Sequence, residues 1–512
     1  MSEASQSAVP APEAAPPTRR EIRAVFLGLM IVLALGAIDQ SIVATALPRI
    51  VGDLGGVEHL SWVVTAYVLT STTTMPLYGR LSDQYGRKPM IYAAILIFLL
   101  GSVLSGAAQT LVQLILFRAV QGIGAGGLMP LAQIIIGDLV PPARRGRQQG
   151  AIVAVMTVCT IIGPVLGGLI TDLLSWHWIF YVNLPIGAAA LAVIARTLPS
   201  RRPAGSRRID YAGAALLTTG TTAFLLALTL GGSRWPWLSP EIGLAAGTAL
   251  ACLVLFVRHI GREPEPVLPP ALFANRLFLV ACLVLALTFM GLLGASLFFP
   301  LFFQAVMGAS PSSSGLLTAP LMVGLVISSV FNGRVLLRSG RYKPAQLVGL
   351  AVAVTAFATL AWGVADAWGL TAIEPAMLLL GLGLGLVMPN MTIAVQNALP
   401  TAHRGVGTAA LAFFRSLGGL VGVAGAGAIL AWRLRAASLG VEGMPAEGGM
   451  PHLTALAPET HAALVELYRH AIATTFAVGT GVAALGLVAL LFLPELPLRA
   501  HHEAAGRPAA EA

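Results

Sequence analysis

Apolar runs of roughly 20 residues recur along this chain, each closed by a short polar or charged stretch, and a run of that length spans the hydrocarbon core of a bilayer as a helix. The pattern predicts helices near 24–47, 60–78, 89–108, 111–139, 150–174 and 179–198. A pair at 211–230 and 242–260 follows, then six more near 277–303, 315–336, 345–364, 376–398, 406–431 and 470–493. Fourteen crossings leave both termini on one side of the membrane. The fold class is an all-α polytopic membrane protein.

The polar stretches carry a second pattern. Gly79–Lys88, GRLSDQYGRK, sits between two apolar runs and has room only for a tight charged loop. It returns as GRVLLRSGRY at Gly333–Tyr342, which keeps Gly79, Arg80, Gly86 and Arg87 at an offset of 254. GIGAGGLMP (Gly122–Pro130) returns as GLGLGLVMP (Gly381–Pro389) at an offset of 259, and Pro141, Arg145 and Gly146 keep that offset as Pro400, Arg404 and Gly405. Tandem repetition of this kind predicts two pseudo-symmetric six-helix bundles with two helices inserted between them, a 6+2+6 plan. The expected division is a disordered tail at 1–23, a first bundle at 24–199, inserted helices and linkers at 200–276, a second bundle at 277–493 and a tail at 494–512. The loop at 432–469 falls on the outer side, with Thr460–His470 read as a short amphipathic helix leading into the last span.

Composition agrees with the membrane assignment. Hydrophobic residues make up 56% of 512 and charged residues 10%, against about 25% charged in a soluble globular chain. The formal net charge of +9 does not indicate nucleic acid, because the cations gather on no soluble domain. With the N-terminus inside, most arginines fall on cytoplasmic segments, and the opposite face has only Arg49, Arg234, Arg433, Arg435 and Arg469, so both termini are expected to be cytoplasmic. Lys88 and Lys343 are the sole lysines. Cys159, Cys252 and Cys282 lie within apolar runs and read as small hydrophobes, with no disulfide and no metal site expected. Ala44-Thr45-Ala46 looks like a signal-peptidase site, but the preceding run is too long and contains an acid, so it reads as an uncleaved first helix.

That acid is Asp39, about eight residues from the outer end of the first helix and so roughly 12 Å deep. An acid at such depth costs on the order of 2.5–3.5 kcal/mol on insertion scales and marks a functional position. The competing reading is an acid that snorkels to water, which its short side chain disfavours. Arg118 lies about seven residues, or roughly 11 Å, below the same surface on the fourth helix. The two charges can neutralise each other, and a proton arriving on Asp39 would release Arg118. A static structural ion pair is the alternative.

Several of these strings resemble a known family. GRLSDQYGRK resembles the signature loop between helices two and three of the major facilitator superfamily. IDQSIVATALP (Ile38–Pro48), FRAVQGIGAGG (Phe117–Gly127), GPVLGG (Gly163–Gly168) and WHWIFYVNLPIG (Trp176–Gly187) resemble motifs of its fourteen-helix drug:proton antiporter branch. The resemblance implies proton coupling at Asp39 and Arg118. It also implies a conformational latch at Gly79, Asp83, Gly86, Arg87 and Lys88, and an antiporter motif at Gly163, Pro164, Gly167 and Gly168. Ser41 stands where the family usually has Thr, and His177 where it has a basic residue; a solvated loop histidine is expected there. Within the loop, Asp83 is expected to face the start of the third helix, and Arg87 and Lys88 to meet lipid headgroups or an acid. In the second half FFRSLGG (Phe413–Gly419) resembles the branch's helix-thirteen pattern. Arg415 there either binds an anionic substrate group or makes a structural pair. Helix ten has no acid, which argues against a dicationic substrate. Gln40, Gln121, Asn390, Gln396, Phe413 and Arg415 are candidates for a central substrate cavity, with Phe298 and Phe299 as further aromatic walls.

No metal spacing, nucleotide loop or nucleophile motif is present, so the chain reads as a secondary active transporter and not an enzyme or a sensor. No cofactor is expected; a proton gradient supplies the energy. The expected activity is export of hydrophobic small molecules by a monomer in a bacterial cytoplasmic (inner) membrane. Its partners would be a lipophilic substrate and the lipid bilayer, with a periplasmic adaptor as a further candidate. A lipid or siderophore exporter on the same scaffold is the alternative.

Overall fold

The computed structural model describes residues 19–54, 60–140, 142–199, 210–232, 235–309, 311–438 and 458–497. Residues 1–18 and 498–512 of the two tails and 439–457 of the 432–469 loop lie outside these residues, and Arg19–Arg23, expected in the N-terminal tail, already belong to the first helix. The first half comprises α1 (Arg19–Leu54), α2 (Leu60–Tyr85), α3 (Arg87–Gly106), α4 (Leu111–Leu139), α5 (Pro142–Leu173), the single turn α6 (Trp178–Tyr181) and α7 (Asn183–Thr197). The inserted pair is α8 (Tyr211–Leu230) and α9 (Pro240–Ile260), followed by the short α10 (Pro270–Ala274). The second half comprises α11 (Arg276–Ala305), the short α12 (Pro311–Leu317), α13 (Ala319–Ser339), α14 (Lys343–Ala365), α15 (Leu370–Ala398), α16 (Thr401–Ser438) and α17 (Pro458–Leu491). Thr460–His470 is therefore the first third of α17, continuous with the last span and not a separate helix.

Thirteen helical segments among the described residues have the length and apolarity to cross a membrane. α2 has the length but carries five consecutive hydroxyl residues, Thr70 to Thr74. The hydroxyls of Thr70, Ser71, Thr73 and Thr74 donate to carbonyls three or four residues back in α2, Thr72 meets Ser416, and Thr70 and Thr74 also reach the backbone of α4 at Ala119 (2.9 Å) and Ile123 (3.4 Å). Polar side chains satisfied in this way tolerate an apolar medium.

α4 and α15 are the central helices of their halves, and the repeated glycines explain how. A Cβ on Gly122 or Gly126 would overlap Thr70 or Thr74 of α2, and one on Gly124 would overlap the α3 backbone at Phe98. Gly381, Gly385 and Gly383 meet α13 and α14 in the same manner. Bare backbone on two faces lets each central helix sit at close range between two neighbours.

Both halves turn at a glycine that needs positive φ: Gly86 (φ 96°) opens α3 and Gly340 (φ 65°) closes α13. A side chain there would be strained. The inserted pair is fastened at one end by Asp210, which caps α8 through Gly213 N–H (2.7 Å), lies 2.7 Å from His259 Nε2 of α9, and accepts from Val267 N–H (3.2 Å). Phe256 and Ile260 of α9 then join the second half's core with Leu272, Phe278 and Val406.

The hydrogen bonds and ion pairs that join the two halves between described residues all lie from mid-span to the end carrying the two repeated loops. They include Thr72–Ser416 (2.9 Å), Gln396 Nε2 to Gln133 O (3.0 Å) and Val406 N to Asp83 Oδ2 (2.9 Å). This end, here called the basic end, is shut.

Candidate functional site

Asp39 of α1 is completely buried and Arg118 of α4 is 1% exposed. Arg118 Nη1 donates to Asp39 Oδ2 at 2.8 Å and to Gln121 Oε1 at 2.6 Å. Residues three apart on a helix share a face, which places Gln121 beside Arg118. The other oxygen, Oδ1, accepts from Gln121 Nε2 (2.7 Å) and from Asn183 Nδ2 (2.8 Å). Both amides also donate to Ser102 Oγ, at 2.7 and 3.1 Å. The Arg118 guanidinium lies over the Tyr67 ring at 4.1 Å, and the Gln40 side chain hydrogen-bonds Tyr67. Four helices of one half, with α6 and α7, thus enclose one charge pair.

Sequence reasoning missed Ser102, Asn183 and Tyr67. Asn183 had a signal: it is the amide of WHWIFYVNLPIG, at the first position of α7. Ser102 had none, since a serine in an apolar helix is ordinary. The network is made of donors aimed at a carboxylate. A protonated Asp39 needs an acceptor, and Asn183 Oδ1 is buried there without a partner. Rotating that amide by half a turn would supply one.

The loop residues form a second cluster at the basic end. Arg87 binds Asp83 (2.6 Å) and Asp138 of α4 (2.9 Å), and Arg404 of α16 approaches Asp138 at 3.6 Å. Asp83 belongs to the last turn of α2; one of its oxygens meets Arg87, the first residue of α3, and the other accepts from Val406 N–H in the first turns of α16, across the seam, while no side chain caps the α3 backbone. A Cβ on Gly405 would overlap that carboxylate, and one on Gly79 would overlap Ala409. Lys88 donates to Ala195 O near the end of α7 (2.8 Å). Arg87 thus meets two acids, and Lys88 a carbonyl near a helix end. Arg80 pairs with Glu265 beyond α9 at 3.4 Å, which ties the inserted pair to the same region.

In α5, Gly163 and Gly167 lie against Ser41 and Thr45 of α1, where a Cβ would not fit, whereas Gly168 faces open space. Pro164 lies within α5, and its side chain is outside the described residues. Of the cavity candidates, Gln40 is exposed and Arg415 half-buried. Gln121, Asn390, Gln396 and Phe413 do not line an open cavity: Gln121 is in the Asp39 network, Asn390 exchanges two amide hydrogen bonds with Asn332 (2.9 and 3.0 Å), Gln396 seals the inter-half seam, and Phe413 packs on Phe414. Phe298 and Phe299 are likewise core residues. The Gln121 and Asn390 amides have their partners in place and nothing left to offer a ligand, whereas Gln396 Oε1 is buried without one.

His177 is half-buried at the end of its loop. Its ring stacks on Trp176 at 3.7 Å, and burial lowers its pKa while Asp53 opposes the shift. Asp210, His259 and Glu263 bring ligand-type atoms within 4.8 Å of one another, but the Asp210 oxygens are already engaged in fastening α8 to α9.

Comparison with known proteins places this architecture. The model of the Major Facilitator Superfamily matches residues 29–423. The multidrug transporter protein MdtP of Bacillus subtilis is 40% identical over 406 residues, covering 79% of this chain and 75% of that protein. Multidrug resistance protein 3 of the same organism is 36% identical over 403 residues, 78% of each chain. Among solved structures, the proton:xylose symporter XylE superposes with a TM-score of 0.63 at 14% identity, over 93% of this chain and 96% of that one. The family's members are secondary transporters and not enzymes, and this chain belongs to the Major Facilitator Superfamily.

Proposed function

We propose that the chain exports lipophilic small molecules in exchange for protons by alternating access, as a multidrug efflux transporter. The observation that carries the reading is the Asp39–Arg118 pair, fully enclosed at matched depth in α1 and α4. Ionisable groups inside a membrane are costly and mark proton or substrate paths. The names of MdtP and multidrug resistance protein 3 support the drug-exporting sense.

With the basic end cytoplasmic, as the arginine distribution favours, the shut seam makes this the outward-facing arrangement. A proton entering from outside neutralises Asp39, whose hydroxyl then donates to the rotated Asn183 amide. Arg118 loses its counter-ion and keeps the Tyr67 ring and Gln121 Oε1 as partners. Helices α1 and α4 no longer attract through that charge pair, and the preference between the two arrangements changes. The latch of Asp83, Arg87, Asp138 and Arg404 holds the cytoplasmic side until that change, and breaking it opens the seam.

The test is proton movement on addition of lipophilic dyes and cations to energised inverted vesicles. Wild type should release protons when substrate is added, and Asp39→Asn should not, while still binding substrate. An Asp39→Asn variant that couples normally would place the proton site elsewhere. Asn183→Leu should reduce coupling less than Asp39→Asn, because it removes the acceptor and leaves the titrating group.

A further inference from the structure

The charged groups near mid-span differ in what they offer to the space between the halves. Asp39 is enclosed by its own partners and presents no carboxylate to that space. Arg415 is different. It lies mid-span on α16, about 20 Å along the helix axis from Ala402. Its Nη2 is 2.7 Å from Met129 Sδ of α4, and its guanidinium is 5.1 Å from the Phe289 ring of α11. Among the described residues no carboxylate reaches it.

Those contacts also fix where Arg415 points. α4 belongs to the first half and α11 to the second, so a side chain touching both looks into the space between the halves and not toward lipid. Arg415, Met129 and Phe289 are each half-buried, and a molecule in that space meets all three. A guanidinium offers five N–H donors in a planar fork suited to an oxyanion. A thioether sulfur is a weak acceptor and a ring face a partial one, so most of that capacity is unused. At mid-span this is the depth at which transporters of the fold bind substrate.

We infer that Arg415 anchors an anion subsite, which takes lipophilic monoanions bearing a carboxylate or sulfonate. The oxyanion lies on the guanidinium fork, and the apolar body lies against Phe289 and Met129. The inference rests on the exporter reading for the idea that substrate reaches this space; it does not require Asp39 to be the proton site. It also has an electrical consequence: exchange of one anion outward for one proton inward moves two charges in the same sense, so such transport depends steeply on membrane voltage.

The test uses two fluorescent probes with one apolar body and opposite charge, pyrenebutyrate and pyrenebutylammonium, titrated onto the full-length protein in nanodiscs with empty discs as blank. The wild type should bind the carboxylate more tightly. Arg415→Gln should weaken pyrenebutyrate about tenfold or more and leave pyrenebutylammonium within about twofold. Met129→Glu, which supplies an internal carboxylate while keeping Arg415, should have the same selective effect and serves if Arg415→Gln does not fold. Equal weakening of both probes, or of neither, would make Arg415 a structural strut and overturn the inference, as would a wild-type preference for the ammonium probe. The proton assay is separate: a wild type that moves no protons while its carboxylate preference is intact sinks the antiport reading and leaves this one standing.

Discussion

In the first repeated loop Arg87 reaches Asp83 and Asp138, and Asp83 passes the contact across the seam to Val406 N–H. In the second loop the equivalent Arg341 reaches Glu495 at 3.3 Å, within its own half, with 70% of the arginine side chain exposed. The two lysines behave alike: Lys88 donates to Ala195 O near the end of α7, and Lys343 donates to Leu491 O and Leu493 O at the end of α17. Both therefore stabilise a helix C-terminus in the last span of their half. The repeat keeps what holds a bundle together and varies what joins the bundles. The same holds deeper in: the first half encloses an ion pair at Asp39–Arg118, and the second encloses a neutral pair at Asn332–Asn390. Charge that can be switched is concentrated in one half. The other offers a cation, Arg415, to whatever enters between them.

The comparison breaks most severely at the enclosed pairs. Arg118→Met strands a buried carboxylate and should cost about 3–5 kcal/mol in thermal melting. Adding Asp39→Leu should restore much of that stability and no transport, whereas Asn390→Leu in the second half should cost about 1–3 kcal/mol. If the two halves lost stability equally, the asymmetry would be one of sequence and not of energy.

The glycines come next. Gly405→Ala places a methyl against the Asp83 carboxylate and should spread the basic end, read as a longer spin-label distance between positions 85 and 403. Gly340→Ala strains a positive-φ turn by about 1 kcal/mol and should leave that distance unchanged. A finer probe is the loop charge itself. Asp83→Asn should shift the open–shut equilibrium by about 1.5–3 kcal/mol through its charged hydrogen bonds, and Glu495→Gln by about 0–1 kcal/mol as an exposed pair. The smallest and most symmetric effect is expected at Lys88→Met and Lys343→Met, about 0.3–1 kcal/mol each in melting; unequal losses would mean that one lysine does more than close a helix end.

Much of this arrangement is legible in the order of residues alone. Asp39 can be matched with Arg118 because depth along a helix follows from counting residues. Gly86 and Gly340 stand out because the repeat preserves them. The partners Ser102, Asn183, Asp138 and Glu265 are not legible in this way. Each lies on a different element from the residue it serves, and which helix faces it depends on rotation about the helix axis. Rotation also decides the partners of the cavity candidates: Gln396 and Asn390 sit at suitable depth and turn toward Gln133 and Asn332.

By itself, then, the sequence determined the number of spans, the repeat and the depth of each polar group. Lipid leaves backbone groups no partner except within a helix, so apolar length alone dictates the elements. Only the tertiary structure decided which end is shut, which carboxylate holds Val406 across the seam, and that no carboxylate among the described residues reaches Arg415. Those outcomes depend on how fourteen helices rotate and lean against one another, a sum of many small packing and hydrogen-bond terms that no periodicity along the chain records.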